Sequence, residues 1–230
     1  MIDKTFASPD DALHDVADGA TIMFGGFVSA GTPSNLILAL QRRGTRDITG
    51  IANNIGLGDL LDVLCEKRQL AKFIATFAVR ASGARKSLFE EQYARGEVAL
   101  ELVPQGTFVE RIRAAGAGLG GVLTRVGLGT MVEEGKRTIN IDGADYLLEL
   151  PLRADFAFIK AYRADRMGNL AYRMAGRNFN PAMATAADVV IAEVEQIVEP
   201  GGIDPESVGT PGVYVDRVVR CDPVPVRWYG

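Results

Sequence analysis

The sequence predicts an α/β fold, a mostly parallel sheet flanked by helices with a small antiparallel lobe. Three observations predict it. Short β-rich runs recur at 21–24, 48–52, 72–77, 99–103, 155–162 and 188–194, and helical apolar spacing fills most of the gaps between them. At 18–33, DGATIMFGGFVSAGTP, an apolar strand runs straight into a glycine-rich turn and then a proline. At 138–150, TINIDGADYLLEL, two strands flank an Asp142-Gly143 turn, the pattern of a hairpin.

Taken in order, Pro9 opens a first helix through DDALHDVADG, where His14 reads as a surface or packing residue. Ile22, Met23 and Phe24 form the buried run of the next strand. Gly25 and Gly26 then permit dihedrals or a close backbone approach that a side chain would forbid, and Pro33 suits a first helical position. Such a strand, turn and helix is a general device for aiming backbone N–H groups at an anionic group. It is equally a packing turn. Further helices are expected at 33–43, 58–67, 86–94 and 107–115, from spacings such as Leu60, Leu61, Leu64 and Phe108, Ile112. A glycine-dense loop at 116–121 leads into the antiparallel excursion, roughly 115–150, within one domain spanning 1–230. Beyond Pro200 the chain is rich in glycine and proline, yet 213–219 alternates like a last strand, with order expected to about Arg220.

Composition narrows the chemistry. With 230 residues the chain can bury a large core without a disulfide framework. Its two cysteines, Cys65 and Cys221, are far apart and outside any CxxC spacing, which predicts a reduced cytoplasmic protein and no nucleophilic thiol. One histidine cannot supply a multi-histidine metal site, and none is expected. The net charge of −4 arises from 29 acidic and 25 basic residues without blocks of one sign, which argues against nucleic acid and membrane surfaces as partners. The apolar stretch at 20–28 is too short to cross a bilayer, and acidic residues precede it. GGFVSAG lacks the three-glycine dinucleotide fingerprint, and there is no HExxH, P-loop or Ser/His/Asp grouping.

Several clusters remain as candidates. Gln105 sits in VPQGT at a strand-to-helix junction, where its amide would donate to a developing oxyanion or else cap the helix, with Thr107 a competing cap. Asn53 and Asn54 end the 48–52 strand, followed by Gly56 and Gly58; they would orient a carboxylate or thioester oxygen, or simply turn the chain. Lys160, Arg163, Asp165 and Arg166 read as a salt-bridged turn between two strands, with a CoA phosphate or subunit contact as the alternative, and Gly176 to Phe179 forms a similarly open loop. Glu110, Arg111 and Arg113 read as a solvated or interface face. Glu193 and Glu195 share a strand face but lack a nucleophile-bearing turn, so they are not taken as catalytic.

From about residue 6 to 220 these pieces together resemble the A (α) subunit of the family I CoA-transferases of the 3-oxoacid type. The likeness is carried, in order, by DGATIMFGGFVSAGTPSNLI, the pair Asn53-Asn54 with Gly58, EEQYARGEVALELVPQGTFVERIRAAGAG, GLGTMVEEGK, DFAFIKAYRADRMGNLAYR, GRNFNPAMATAADVVIAEVE and VYVDRVV. Gly25, Gly26, Phe27, Gly31 and Pro33 match the family signature. The resemblance implies the NagB/RpiA/CoA-transferase type of α/β fold and a ping-pong transfer of CoA, with succinyl-CoA as the expected donor. It implies a nucleophilic glutamate on a separate B (β) subunit, in an αβ or α2β2 assembly, and no cofactor, CoA thioester being a substrate. On this chain it puts Gly25, Gly26, Phe27 and Gln105 near the reacting carbonyl, and Asn53, Asn54, Gly116 and Gly118 around the acyl pocket.

Departures from the family pattern fall at Val28 to Gly31, at 81–86 and at Thr124 to Gly127. Arg80, Arg85 and Arg125 would suit the distal carboxylate of a 3-oxoadipate-like acid, or lie on the surface or an interface. Two rivals stand beside this expectation. One is a same-fold protein that hydrolyses acyl-CoA or cleaves a carbon–carbon bond; the other is a ligand-sensing domain.

Overall fold

The computed structural model describes residues 2–56, 60–80 and 86–225. In chain order they form β1 (Thr5–Phe6), α1 (Pro9–Ala12), β2 (Thr21–Phe24), α2 (Ser34–Arg43), β3 (Ile48–Ala52), α3 (Val63–Glu66), β4 (Leu70–Ala75), α4 (Leu88–Ala94), β5 (Ala99–Leu102) and α5 (Gln105–Gly116). They continue with β6 (Val122–Thr124), β7 (Thr138–Ile141), β8 (Ala144–Glu149), β9 (Ala154–Asp165), β10 (Leu170–Ala171), α6 (Asn180–Ala184), β11 (Ala187–Val198) and β12 (Arg217–Arg220).

The main sheet runs β1-β12-β11-β9-β2-β3-β4-β5, every pairing along that path parallel, with β10 added antiparallel to β9. Side chains alternate across it. Ile22 and Phe24 join a layer with Leu36, Ile37 and Leu40 of α2 and with Phe73 and Phe89. Met23 turns to the opposite layer, with Phe108 and Ile112 of α5 and Met183 of α6. Edge-on rings, Phe24 against Phe158 at 5.6 Å and Phe108 against Phe179 at 5.8 Å, tie strands and helices in each layer.

Helix α2 shows how a distant residue completes a local element. Pro33, expected inside the helix, stands just before it, and makes no side-chain cap. Its ring cannot accept a hydrogen bond, so the orphan N–H groups of the first turn need another acceptor. Glu193 of β11, 1% exposed, supplies it: its carboxylate accepts from Asn35 N at 2.7 Å, Leu36 N at 3.2 Å and Asn35 Nδ2 at 2.9 Å. Lys160 Nζ lies 3.4 Å from the same group. The helix stops at Gly44, whose φ of +75° is the left-handed end that glycine adopts without strain.

Two strands exceed their predicted ends. The strand readings stop at Tyr162 and Val194, yet β9 and β11 stay in parallel register from Ala154↔Ala187 to Asp165↔Val198. The polar side chains pair across the strands, Arg163 Nε donating to Gln196 Oε1 at 2.8 Å. Lys160 to Asp165 are therefore strand, not turn; the turn follows, with Asp165 Oδ1 accepting from Met167 N and Asn169 N. Arg166 pairs with Asp3 and Glu199. The last strand is likewise displaced, to Arg217–Arg220, because Pro211 initiates a 3-10 turn at Gly212–Tyr214.

The lobe is a three-stranded antiparallel sheet, β6-β8-β7. Asp142 and Gly143, both at positive φ, 52° and 80°, form the expected hairpin turn. Arg111, expected on a solvated or interface face, is instead largely buried where α5 meets the lobe. Its Nε donates to Leu150 O at 2.8 Å, and its guanidinium bonds Glu101 of β5 at 2.9 Å. Gly116, expected in a loop, is the last residue of α5.

Candidate active site

The winding of the chain reverses at β2: β3, β4 and β5 are laid down on one side of it, β9, β11 and β12 on the other. In open α/β sheets the crevice outside the carboxyl ends of strands at such a reversal is where ligands bind. A cleft of about 330 Å³ lies there, lined by Phe27, Val28, Asn53, Asn54, Thr76, Phe77 and Gln105. Phe27 and Val28 follow β2, Asn53 and Asn54 follow β3, Thr76 and Phe77 follow β4, and Gln105 follows β5. Thr76 and Phe77 belong to the predicted 72–77 strand, which ends at Ala75; leaving the sheet turns them into the cleft.

Part of the row of backbone donors expected of the glycine turn is engaged within the protein. Gly25 N donates to Phe158 O at 2.9 Å, and Val28 N to Asn54 Oδ1 at 2.9 Å. Phe27 and Ala30 exchange N–H···O bonds at 3.0 Å each way, closing a two-residue hairpin over Val28 and Ser29. Phe27 and Val28 line the cleft. Gly26, at φ +118°, is needed because a Cβ would lie 2.6 Å from Thr32 Oγ1. Val28 holds φ +56°, the conformation usually given to glycine at the first corner of such a turn, at a cost of ~1–3 kcal/mol for a β-branched residue. The reciprocal bonds on either side of it and the bond to Asn54 hold it there.

Side-chain amides add further donors. Gln105 Nε2 donates to Asn53 Oδ1 at 2.7 Å, and Asn53 Nδ2 to Asn54 Oδ1 at 2.9 Å. The Thr76 hydroxyl lies 2.7 Å from Asn53 O and 2.9 Å from Asn53 Oδ1, and Thr76 N and Phe77 N both donate to Asn53 O. Asn53 and Asn54 are buried, whereas Gln105 reaches out at the mouth. Neither Gln105 nor Thr107 caps α5: Pro104 occupies the cap position, and the buried Thr107 hydroxyl has no hydrogen-bond partner among the described residues. No ionisable side chain lines the cleft among the described residues.

Other candidate residues lie elsewhere. Helix α5 returns toward the amino ends of the strands, so Gly116 is about 16 Å from Gln105 along its axis. It packs there against Thr185, where a Cβ would come within 2.1 Å of Oγ1. Gly118 follows it, and neither lines the cleft. Arg80 N donates to Glu90 Oε2 at 3.1 Å, and Arg125 is exposed on the lobe; neither lines the cleft. Gly58 and Arg85 fall outside the described residues. His14 is exposed and stacks on Phe6. Cys65 and Cys221 are buried, and burial, with the nearby Glu193 charge, pushes the Cys221 thiol up to about 12. Among the described residues no helix is long and apolar enough to cross a membrane, and no cluster of three metal-ligating side chains occurs.

Sequence reading missed Asn180. It is fully buried beneath the glycine turn, accepting from Lys160 N at 3.0 Å and donating to Gly31 O at 3.1 Å and Gly176 O at 2.9 Å. Its signal was an Asn-Pro pair before an apolar run, with nothing local to connect it to residue 25.

Comparison with known proteins converges on one family. The coenzyme A transferase family model matches residues 6–220. The chain is 48% identical over 226 residues to the A subunit of the 3-oxoadipate CoA-transferase of Acinetobacter baylyi, covering 98% of each chain. It is 49% identical over 218 residues to the A subunit of the succinyl-CoA:3-ketoacid coenzyme A transferase of Xanthomonas campestris, covering 94% of this chain and 88% of that one. Among solved structures, glutaconate coenzyme A-transferase from Acidaminococcus fermentans superposes with a TM-score of 0.81 at 23% identity, over 94% of this chain and 75% of the other, a likeness of fold.

Proposed function

The chain belongs to the coenzyme A transferase family, and from that premise we propose that it is the α half of an enzyme moving CoA from succinyl-CoA to a short 3-oxoacid such as 3-oxoadipate. The reading draws its substrates from the relatives named 3-oxoadipate and succinyl-CoA:3-ketoacid transferases. The observation that carries it is the uncharged cleft: amides and apolar rings line it, and no carboxylate, thiol, amine or imidazole does so among the described residues.

Such a cleft can stabilise charge on an oxygen but cannot begin a displacement. The nucleophile comes from a partner β subunit, in an αβ or α2β2 assembly, facing the open mouth where Phe27 and Phe77 are 45% and 38% exposed. Its glutamate attacks the thioester carbonyl and expels CoA thiolate, leaving a mixed anhydride. The thiolate then attacks the glutamyl carbonyl, releasing succinate and leaving a glutamyl-CoA thioester. The acceptor carboxylate attacks that thioester, and returning thiolate attacks the acceptor's acyl carbon and frees the glutamate. Each attack places negative charge on a carbonyl oxygen. Gln105 uses one amide N–H on Asn53 and has a second to offer that oxygen. Covalent passage through glutamate needs no cofactor.

The test is to express the chain both alone and together with its β partner, then to assay exchange between succinyl-CoA and 3-oxoadipate or acetoacetate. Transfer should require both chains; transfer by the isolated chain overturns the half-site reading. Release of free CoA without acceptor would instead favour a hydrolytic enzyme. Gln105→Ala should lower kcat more than about tenfold, the scale of losing one oxyanion donor.

A further inference from the structure

The hydrogen bonds joining Asn54, Asn53 and Gln105 have a direction, and the backbone sets it. A side-chain amide carries an oxygen that accepts and a nitrogen that donates, and only its partners decide which faces which way. At Asn54 the partner is the N–H of Val28, which can only donate, so the atom 2.9 Å away is Oδ1. The same oxygen lies 2.9 Å from Asn53, which must meet it with Nδ2 and therefore turns its own oxygen away. That oxygen is 2.7 Å from Gln105, which must meet it with Nε2.

We infer that Asn54 is a positioning residue: through Asn53 it fixes which way round Gln105 presents its amide to the cleft. The inference rests on the reading of Gln105 as a donor to the reacting oxygen. Turned over, Gln105 would set a carbonyl oxygen against developing negative charge. Turning it requires reversing Asn53 and Asn54 as well, which would bring Asn54 Nδ2 against Val28 N–H, donor to donor. The buried end of the chain of amides thus governs the exposed end, and the three side chains act as a unit.

The experiment uses the chain assembled with its β partner, with succinyl-CoA and acetoacetate as substrates. Asn54→Leu keeps the volume and removes the acceptor. It should lower kcat about tenfold with little change in KM, and adding Gln105→Ala should cost no more than about threefold beyond the worse single variant. Asn54→Asp, which still accepts from both N–H groups, should recover most of the loss in kcat. If Gln105→Ala lowers kcat but Asn54→Leu does not, or the two losses multiply, the positioning role is overturned while the reading of Gln105 stands. If Gln105→Ala leaves kcat unchanged, the oxyanion reading fails and the positioning role fails with it.

Discussion

Asn180 stands in the space that a side chain on Gly25 would occupy, its Oδ1 only 1.8 Å from where a Cβ would sit. The glycine is needed because something else is already there. That amide cannot step aside, since it is bonded at once to Lys160 N, Gly31 O and Gly176 O in a fully buried position. Gly31 is hemmed in on the same side, where a Cβ would lie 2.5 Å from Gly176 O.

Gly25→Ala should therefore destabilise by overpacking, about 1–3 kcal/mol, or a fall of roughly 3–10 °C in Tm for a chain of this size. In the double variant with Asn180→Ala the two losses should not add, because removing the Asn180 amide opens the space the methyl needs. Thermal unfolding of the four proteins of the cycle checks this; strict additivity would mean that the two residues do not compete for one volume.

Glu193 is predicted to matter for folding and not for chemistry, despite being a buried carboxylate. Glu193→Ala strips the first turn of α2 of its acceptor and leaves Lys160 unpaired, which should cost about 3–5 kcal/mol in urea unfolding. Glu193→Gln, which keeps one acceptor oxygen, should cost less. Loss of kcat in a folded Glu193→Gln protein would contradict this assignment.

Acid should act partly through Glu101. Burial pushes its carboxyl up, but hydrogen bonds from Lys72 and Arg111, reinforced by their charges, outweigh it and hold the group below its ordinary value. A carboxyl depressed on folding contributes stability above its unfolded pKa of about 4.3, and loses it as pH falls through the folded value. Between pH 6 and pH 3 the unsubstituted protein should lose more Tm than Glu101→Gln, by about 2–4 °C for an interaction of ~1 kcal/mol. Parallel curves would show that the ion pairs contribute nothing.

The thiols should be inert in the folded protein. With Cys221 buried and its pKa pushed up to about 12, almost no thiolate exists at pH 8. A disulfide reagent should react with Cys65 and Cys221 only after urea unfolding, and Cys221→Ser should retain transfer activity. Rapid labelling of the native protein would overturn the packing described.

Much of this architecture was legible in the chain. The ends of β2 and β3, the hairpin at Asp142-Gly143 and the junction at Gln105 all rest on local patterns, which is why they could be read in order. What could not be read is long-range. Glu193 completes a helix 158 residues away in sequence, and Asn180 lies under a turn it does not resemble. The charges from Lys160 to Asp165 look like a turn because their cross-strand partners on β11 are invisible locally. The same holds for donors: a glycine-rich turn shows that backbone can come close, but not that the N–H groups of Gly25, Phe27 and Val28 are already taken by Phe158, Ala30 and Asn54.

Among the described residues, all seven around the cleft come from the short segments after β2, β3, β4 and β5, and none from the half of the sheet formed by β9, β11, β12 and β1. The cleft is thus lined from one half of the sheet, and the other half supports it from beneath, through Asn180 on Gly31 O and Phe158 O on Gly25 N. The lining of the cleft can therefore change within a few residues after each of four strands, without rewriting the strands that hold it up.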